Sequence, residues 1–147
     1  MALSAQKFRE IVFQLLYSRD FEKSDEESAM ALVMRQNTIP KSVIRVAKER
    51  VEAIWDLREE LDECIQGRAK DYDLERIPRI EQAVLRLGLY ELLHTDLPPK
   101  VAISEGIRLA RKFATAESAS FVNALLDAVY KEKEHAPQTL SEEQITV

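Results

Sequence analysis

The feature that most constrains this chain is the stretch 80–130, IEQAVLRLGLYELLHTDLPPKVAISEGIRLARKFATAESASFVNALLDAVY. Apolar side chains return in it every three or four residues: Ile80, Val84 and Leu87, then Val101, Ile107 and Ala110, then Phe121, Leu125 and Val129. That is the period of helices that each bury one face. Pro98 and Pro99 divide the first run from the second, because proline lacks a backbone N–H and disfavours helical backbone in the residue before it. The second run covers 100–113 and the third begins at Ala116 and fades near Lys131.

The remainder reads in the same way. Ser4 suits the N-cap of a first helix whose Phe8, Ile11, Val12, Leu15 and Leu16 share one face, since its hydroxyl can accept from a free N–H of the first turn. Lys7, Gln14 and Tyr17 lie towards the other side. Ser24 with Glu27 forms a capping box, so a short helix is expected to run to about residue 36, burying Met30, Val33 and Met34. Pro40 suits the first turn of a long helix over 41–66, with Val43, Ala47, Val51, Ile54, Leu61 and Ile65 as its stripe, Trp55 packed in the core and Gly67 as its C-cap. Between residues 41 and 70 seven basic and seven acidic residues interleave, the pattern of a solvated helix face. Residues 71–79 connect to the stretch above, with Pro78 in the next first turn. The expected domain is 1–131. Residues 132–147 are polar and acidic, contain Pro137, and are expected to form a frayed or disordered tail.

At 147 residues with three glycines and five prolines, the chain has the size and composition of one all-α domain. A single cysteine, Cys64, cannot close an internal disulfide and fits a reducing compartment. With no long apolar run and charged residues by position 7, neither a membrane span nor a secretory signal is visible, so a cytoplasmic protein is expected. A net charge of −5 argues against indiscriminate nucleic-acid binding, which needs a basic excess. The first twenty residues set Lys7, Arg9 and Arg19 against Glu10 and Asp20, whereas the tail sets Lys133 against four glutamates.

Catalytic chemistry finds no support. His94, His135 and one cysteine make no zinc set, and there is neither a glycine-rich phosphate loop nor a nucleophile motif. No metal or cofactor is expected. Glu91 and Glu105 could be paired carboxylates, but a structural role fits better: partly buried acids that need a partner, for which Arg86 is a candidate.

Spaced blocks then carry a family resemblance: the run 83–92 (AVLRLGLYEL), Val101-Ala102-Ile103 with Glu105, Leu109-Ala110-Arg111-Lys112-Phe113, and Phe121-Val122-Asn123 with Leu125 or Leu126. Leu74-Glu75-Arg76-Ile77 and Gln14-Leu15-Leu16-Tyr17 extend it. The chain resembles the NusB transcription antitermination factors. The resemblance implies an all-α fold of two packed helical bundles, with about six to seven helices. It implies an adaptor without enzymatic activity that binds the boxA element of ribosomal RNA leaders, as a heterodimer with the small-subunit ribosomal protein NusE. That pair joins NusA, NusG and RNA polymerase. Carried over by position, the RNA surface would include Lys7, Arg9, Tyr17, Arg86 and Phe121. Glu81 matches an acidic position facing NusE, and Glu117 one near the junction of the protein and RNA surfaces. Some relatives form homodimers, which could cover the RNA surface.

Read from the residues alone, Phe121 serves equally as core, and Glu81 and Glu117 as solvated surface. The sequence also departs from the family. Ala5 and Gln6 stand where basic residues are common, Tyr72 where tryptophan is frequent, Ser104 for asparagine, Gly106 for alanine and Ala124 for glycine. A basic start reduced to Lys7 and Arg9 implies weaker RNA binding with a shallower salt dependence. The competing readings are a protein-interaction module that has lost RNA binding and the NusB-like domain of a ribosomal RNA cytosine methyltransferase, which the length disfavours. A helix-turn-helix regulator lacks a basic recognition helix.

Overall fold

The computed structural model describes residues 3–20, 35, 38–68 and 74–146, the side chains of 135–146 excepted. The expected helix after Ser24, with its capping box and Met30, Val33 and Met34, lies outside the described residues, as does Tyr72. Among those described, six α-helices follow one another: α1 Ala5–Arg19, α2 Lys41–Asp56, α3 Arg58–Arg68, α4 Arg79–His94, α5 Pro99–Phe113 and α6 Ala116–Thr146. A short 3-10 turn, Leu74–Arg76, precedes α4.

The starts follow local chemistry. Ser4 caps α1, its hydroxyl accepting from the Lys7 N–H at 3.1 Å. Pro40 and Pro98 lead into α2 and α5 with extended backbone, as a ring that fixes φ allows. Thr115 Oγ1 accepts from the Ser118 N–H at 3.0 Å and so caps α6. Helix α4 stops earlier than the proline pair requires. Thr95 turns to extended backbone, its hydroxyl donating to the Glu91 carbonyl at 2.6 Å and accepting from the Leu97 N–H.

Two expectations differ from what is observed. The helix expected over 41–66 is two helices, broken at Leu57, whose N–H turns back to the Ile54 carbonyl. Arg58 covers the Trp55 carbonyl there at 3.0 Å. The apolar pattern is blind to this break because Ile54 and Leu61, seven apart, stay in phase across it. Gly67 is not a C-cap: it lies inside the last turn of α3, and Arg68 donates to the Cys64 carbonyl at 3.3 Å. Past Lys131, where the apolar pattern ends, α6 continues as backbone helix to Thr146. Glu132 pairs with Arg68, and Lys133 Nζ donates to the Leu92 carbonyl at 2.9 Å, tying the first turn beyond Lys131 to α3 and α4.

The packing falls into two groups. Helices α4, α5 and α6 pack on one another, α1 packs on α2, and contact between α1 and α4 joins the groups into one core. Phe13, Ile11 and Leu16 of α1, Ile54 of α2, Leu61 and Ile65 of α3, Leu85 and Leu89 of α4, Leu109 of α5 and Leu126 of α6 are all fully buried. The Phe13 ring lies 4.9 Å from that of Phe113, between centroids, and fastens α1 against α5. Burying side chains of this size contributes about 1.5–3 kcal/mol each, which is why a helical chain without disulfides holds together.

Candidate functional site

Two ion-pair clusters decide which charged residues reach solvent. In the first, Arg9 of α1 donates to Glu91 of α4 at 2.7 Å and to Glu105 of α5 at 3.2 Å. Gln6 adds a bond to Glu105 at 3.2 Å. Arg108 bonds both Glu105 (3.0 Å) and Glu10 (2.6 Å), and Lys112 reaches Glu10 at 2.8 Å. Burial pushes the Glu10 and Glu105 carboxyls up, but the bonds from Lys112 and Arg108 to Glu10, and from Arg108 and Gln6 to Glu105, outweigh it and hold both below the ordinary range. At Glu91 burial wins over Arg9, and that carboxyl is raised.

In the second cluster Arg86 of α4 grips Asp62 of α3 with two bonds, at 2.8 and 2.9 Å, and lies 3.4 Å from Asp20. Burial pulls its guanidinium down, yet Asp62 more than compensates, so its pKa is raised. The guanidiniums of Arg58, Arg19 and Arg86 also sit over the Trp55 ring, at 4.8, 5.2 and 5.8 Å from its centre. The half-buried Trp55 is therefore a platform for arginines as well as core.

These clusters bear on two sequence expectations. Of the residues that the resemblance assigns to RNA, Arg9 and Arg86 have side chains only 12 % and 6 % exposed and paired with carboxylates. Arg86 does not partner Glu91 or Glu105; Arg9 does. A buried charge must be paired, and periodicity says nothing about which of several acids the fold brings near.

Other expected residues do come together. Glu81 at the start of α4, and Glu117 and Phe121 on the first turns of α6, line one concavity of about 270 Å³ with Arg76, Pro78 and Thr115. Ser118 donates its hydroxyl to Glu81, so that carboxylate is fixed against α6. Phe121 is half-buried at the rim. Arg79 donates to the Asp20 carbonyl at 3.0 Å, which puts the Tyr17 end of α1 on the α4-start side of the molecule. The Tyr17 ring stacks on Phe13, 6.2 Å between centroids. Lys7 lies apart, ten residues or roughly 15 Å back along α1.

With this geometry the comparison with known proteins is direct. A model of the NusB family matches residues 6–131. The chain belongs to the NusB family. It is 33 % identical over 138 residues to the transcription antitermination protein NusB of Symbiobacterium thermophilum, covering 88 % of this chain and 90 % of that one. It is 36 % identical over 126 residues to the NusB of Myxococcus xanthus, covering 82 % and 90 %. Among solved structures it is similar to T. maritima NusB, with a TM-score of 0.78, 30 % identity and coverage of 97 % and 99 %. It is also similar to a chain of a crystal structure of the antitermination factors NusB and NusE in complex with dsRNA, with a TM-score of 0.71, 27 % identity and coverage of 86 % and 96 %.

The NusB fold therefore confirms the all-α expectation. One candidate feature escaped the sequence reading. Lys100, Arg108, Arg111 and Lys112 of α5 line an open groove of about 890 Å³ that Gln6 of α1 also borders. The signal was present, because residues eleven apart, such as Lys100 and Arg111, return to the same helix face. Among the described residues no group of His, Cys, Asp and Glu could hold a metal ion, and no helix is long and apolar enough to cross a membrane.

Proposed function

We propose that this protein is a transcription antitermination adaptor that binds boxA-type single-stranded RNA of ribosomal RNA leaders together with NusE. Through that pair it joins NusA, NusG and RNA polymerase. Its work is binding, and it involves no catalytic step. The relatives' names and the NusB–NusE–RNA assembly of a similar structure support this reading.

The observation that carries it is the concavity shared by Glu81, Glu117 and Phe121. Single-stranded RNA offers unstacked bases that pack on an aromatic ring, and the Phe121 rim supplies one. The flanking carboxylates can accept from base amino groups, and they favour encounter with a basic ribosomal protein. Two modest surfaces side by side then make one adequate joint site. With Arg9 and Arg86 committed internally, Lys7 is the remaining RNA-facing cation of the expected set. Affinity for RNA alone is accordingly modest and rises when NusE is present.

The test is a titration of labelled boxA-type RNA against the protein with and without NusE. Binding that strengthens with NusE supports the adaptor. A second reading, a protein-interaction module without RNA binding, is favoured by the internal commitment of Arg9 and Arg86. It predicts NusE binding and no RNA binding in either mixture.

A further inference from the structure

The groove on α5 has a charge pattern that the reading above does not use. Lys100, Ser104, Ile107 and Arg111 run along one line of the helix. The first and last are displaced by roughly 20° around the axis and about 16 Å along it. All four line the groove. Lys100 and Arg111 are exposed at its two ends, Ser104 is exposed between them, and Ile103 and Ile107 are half-buried in its floor.

The groove's own acids are already answered. Glu105 is taken by Arg9, Arg108 and Gln6, and Asp127 pairs with Lys131 at 3.0 Å. Arg108 and Lys112 are in turn shared with Glu10. Lys100 and Arg111 have no acidic partner among the described residues, so the groove keeps an uncompensated positive charge at both ends in a chain whose net charge is −5.

We propose that this groove is a track for the phosphate backbone of single-stranded RNA, with Lys100 and Arg111 holding phosphates at its two ends. Ser104 offers a hydroxyl between them, and Ile103 and Ile107 give sugars and bases an apolar floor. The inference rests on the RNA-binding reading and extends it to a second surface. Gln6, at the start of α1, also borders the groove. A positively charged groove that follows the backbone is what sequence-tolerant single-strand binding uses. An acidic protein segment would be the other occupant of a positive groove. The RNA reading is preferred because the groove keeps positive charge at both ends in an acidic chain, and RNA is the ligand proposed for the same molecule.

The test is the double variant Lys100→Gln/Arg111→Gln, titrated with labelled boxA-type single-stranded RNA at about 50 and 200 mM salt. Each phosphate contact in a single strand contributes roughly 0.7 to the salt slope. Losing two lowers the slope by about 1.4, so over that fourfold change in salt the variant loses about sevenfold less affinity than wild type. Its thermal midpoint should equal that of wild type, and Lys100→Arg/Arg111→Lys should keep the wild-type slope. If wild type binds RNA and the double variant binds with the same affinity and slope, the track is wrong while the RNA reading stands. If the double variant loses NusE and not RNA, the groove is a protein surface and the proposal is overturned. If wild type binds no RNA with or without NusE, both readings fall.

Discussion

The Leu126 side chain occupies the space that a Cβ on Gly106 would claim: its Cδ1 lies 2.8 Å from that position, with Val122 Cγ1 at 3.3 Å. On the opposite side the same Cδ1 lies 3.1 Å from where a Cβ on Gly88 would stand. Leu126 is fully buried, so it is wedged between α4 and α5 with a glycine on each flank. Gly106 weakens its helix by roughly 1 kcal/mol relative to alanine, and the close approach of α5 and α6 around Leu126 offsets that loss.

Gly106→Ala therefore destabilises the protein despite its better helix propensity. Overpacking a core costs about 1–3 kcal/mol, and the propensity gain recovers roughly 1 kcal/mol. The expected net loss is about 1 kcal/mol in urea unfolding. A gain in stability would mean that Leu126 can swing aside.

Arg86→Leu is expected to cost about 3 kcal/mol, because it leaves the partly buried Asp62 without its cation and Asp20 with only Arg79, 4.0 Å away. The cost appears in chemical denaturation. At a temperature where the variant is folded, RNA affinity should be unchanged. Loss of RNA binding with unchanged stability would return Arg86 to the RNA surface.

Much of the fold was legible in the sequence because one apolar face per helix leaves a period, and Pro40, Pro98 and Ser4 mark starts by their own chemistry. The break at Leu57 was not legible, since Ile54 and Leu61 remain in phase. The site was only partly legible. Glu81, Glu117 and Phe121 line one concavity, a juxtaposition that only the fold reveals. Arg9 and Arg86 are drawn inward by Glu91, Glu105 and Asp62, whose proximity is a property of tertiary packing. Lys100 and Arg111 were missed because a short interleaved charge pattern looks like ordinary helix surface until the fold shows which acids are already paired.

Acid should weaken the contact between α1 and α5. Glu10 and Glu105 are held below the ordinary glutamate value of about 4.5, so the unfolded chain binds more protons than the folded one. Their contribution is present above that value and is lost as pH falls through the lowered pKa values. Glu91, raised by burial, acts in the opposite sense: its contribution is present in acid and is lost as pH rises through its raised pKa. Glu10→Gln should cost about 1–2 kcal/mol near neutral pH. The gap to wild type should close as pH falls below about 4.5, where Glu10 itself takes up a proton. Unfolding measured across this range checks it, and a gap that persists in acid would contradict the ion-pair account.

Phe121→Ala removes the ring at the rim of the concavity. Stacking on an aromatic ring contributes about 1–3 kcal/mol per base, so RNA affinity should fall by about tenfold, while Phe121→Tyr should retain most of it. Glu81→Gln, by contrast, should weaken NusE association more than RNA binding. Equal effects of Phe121→Ala and Phe121→Tyr on RNA would show that the ring acts through packing.

The central claim, a joint RNA site completed by NusE, is tested most directly by titrating labelled boxA-type RNA with this protein alone and with NusE at two salt concentrations. The account predicts weak binding alone, clear strengthening with NusE, and a salt slope shallower than that of an arginine-rich relative. Absence of RNA binding in both mixtures, with NusE shown separately to bind the protein, would contradict it.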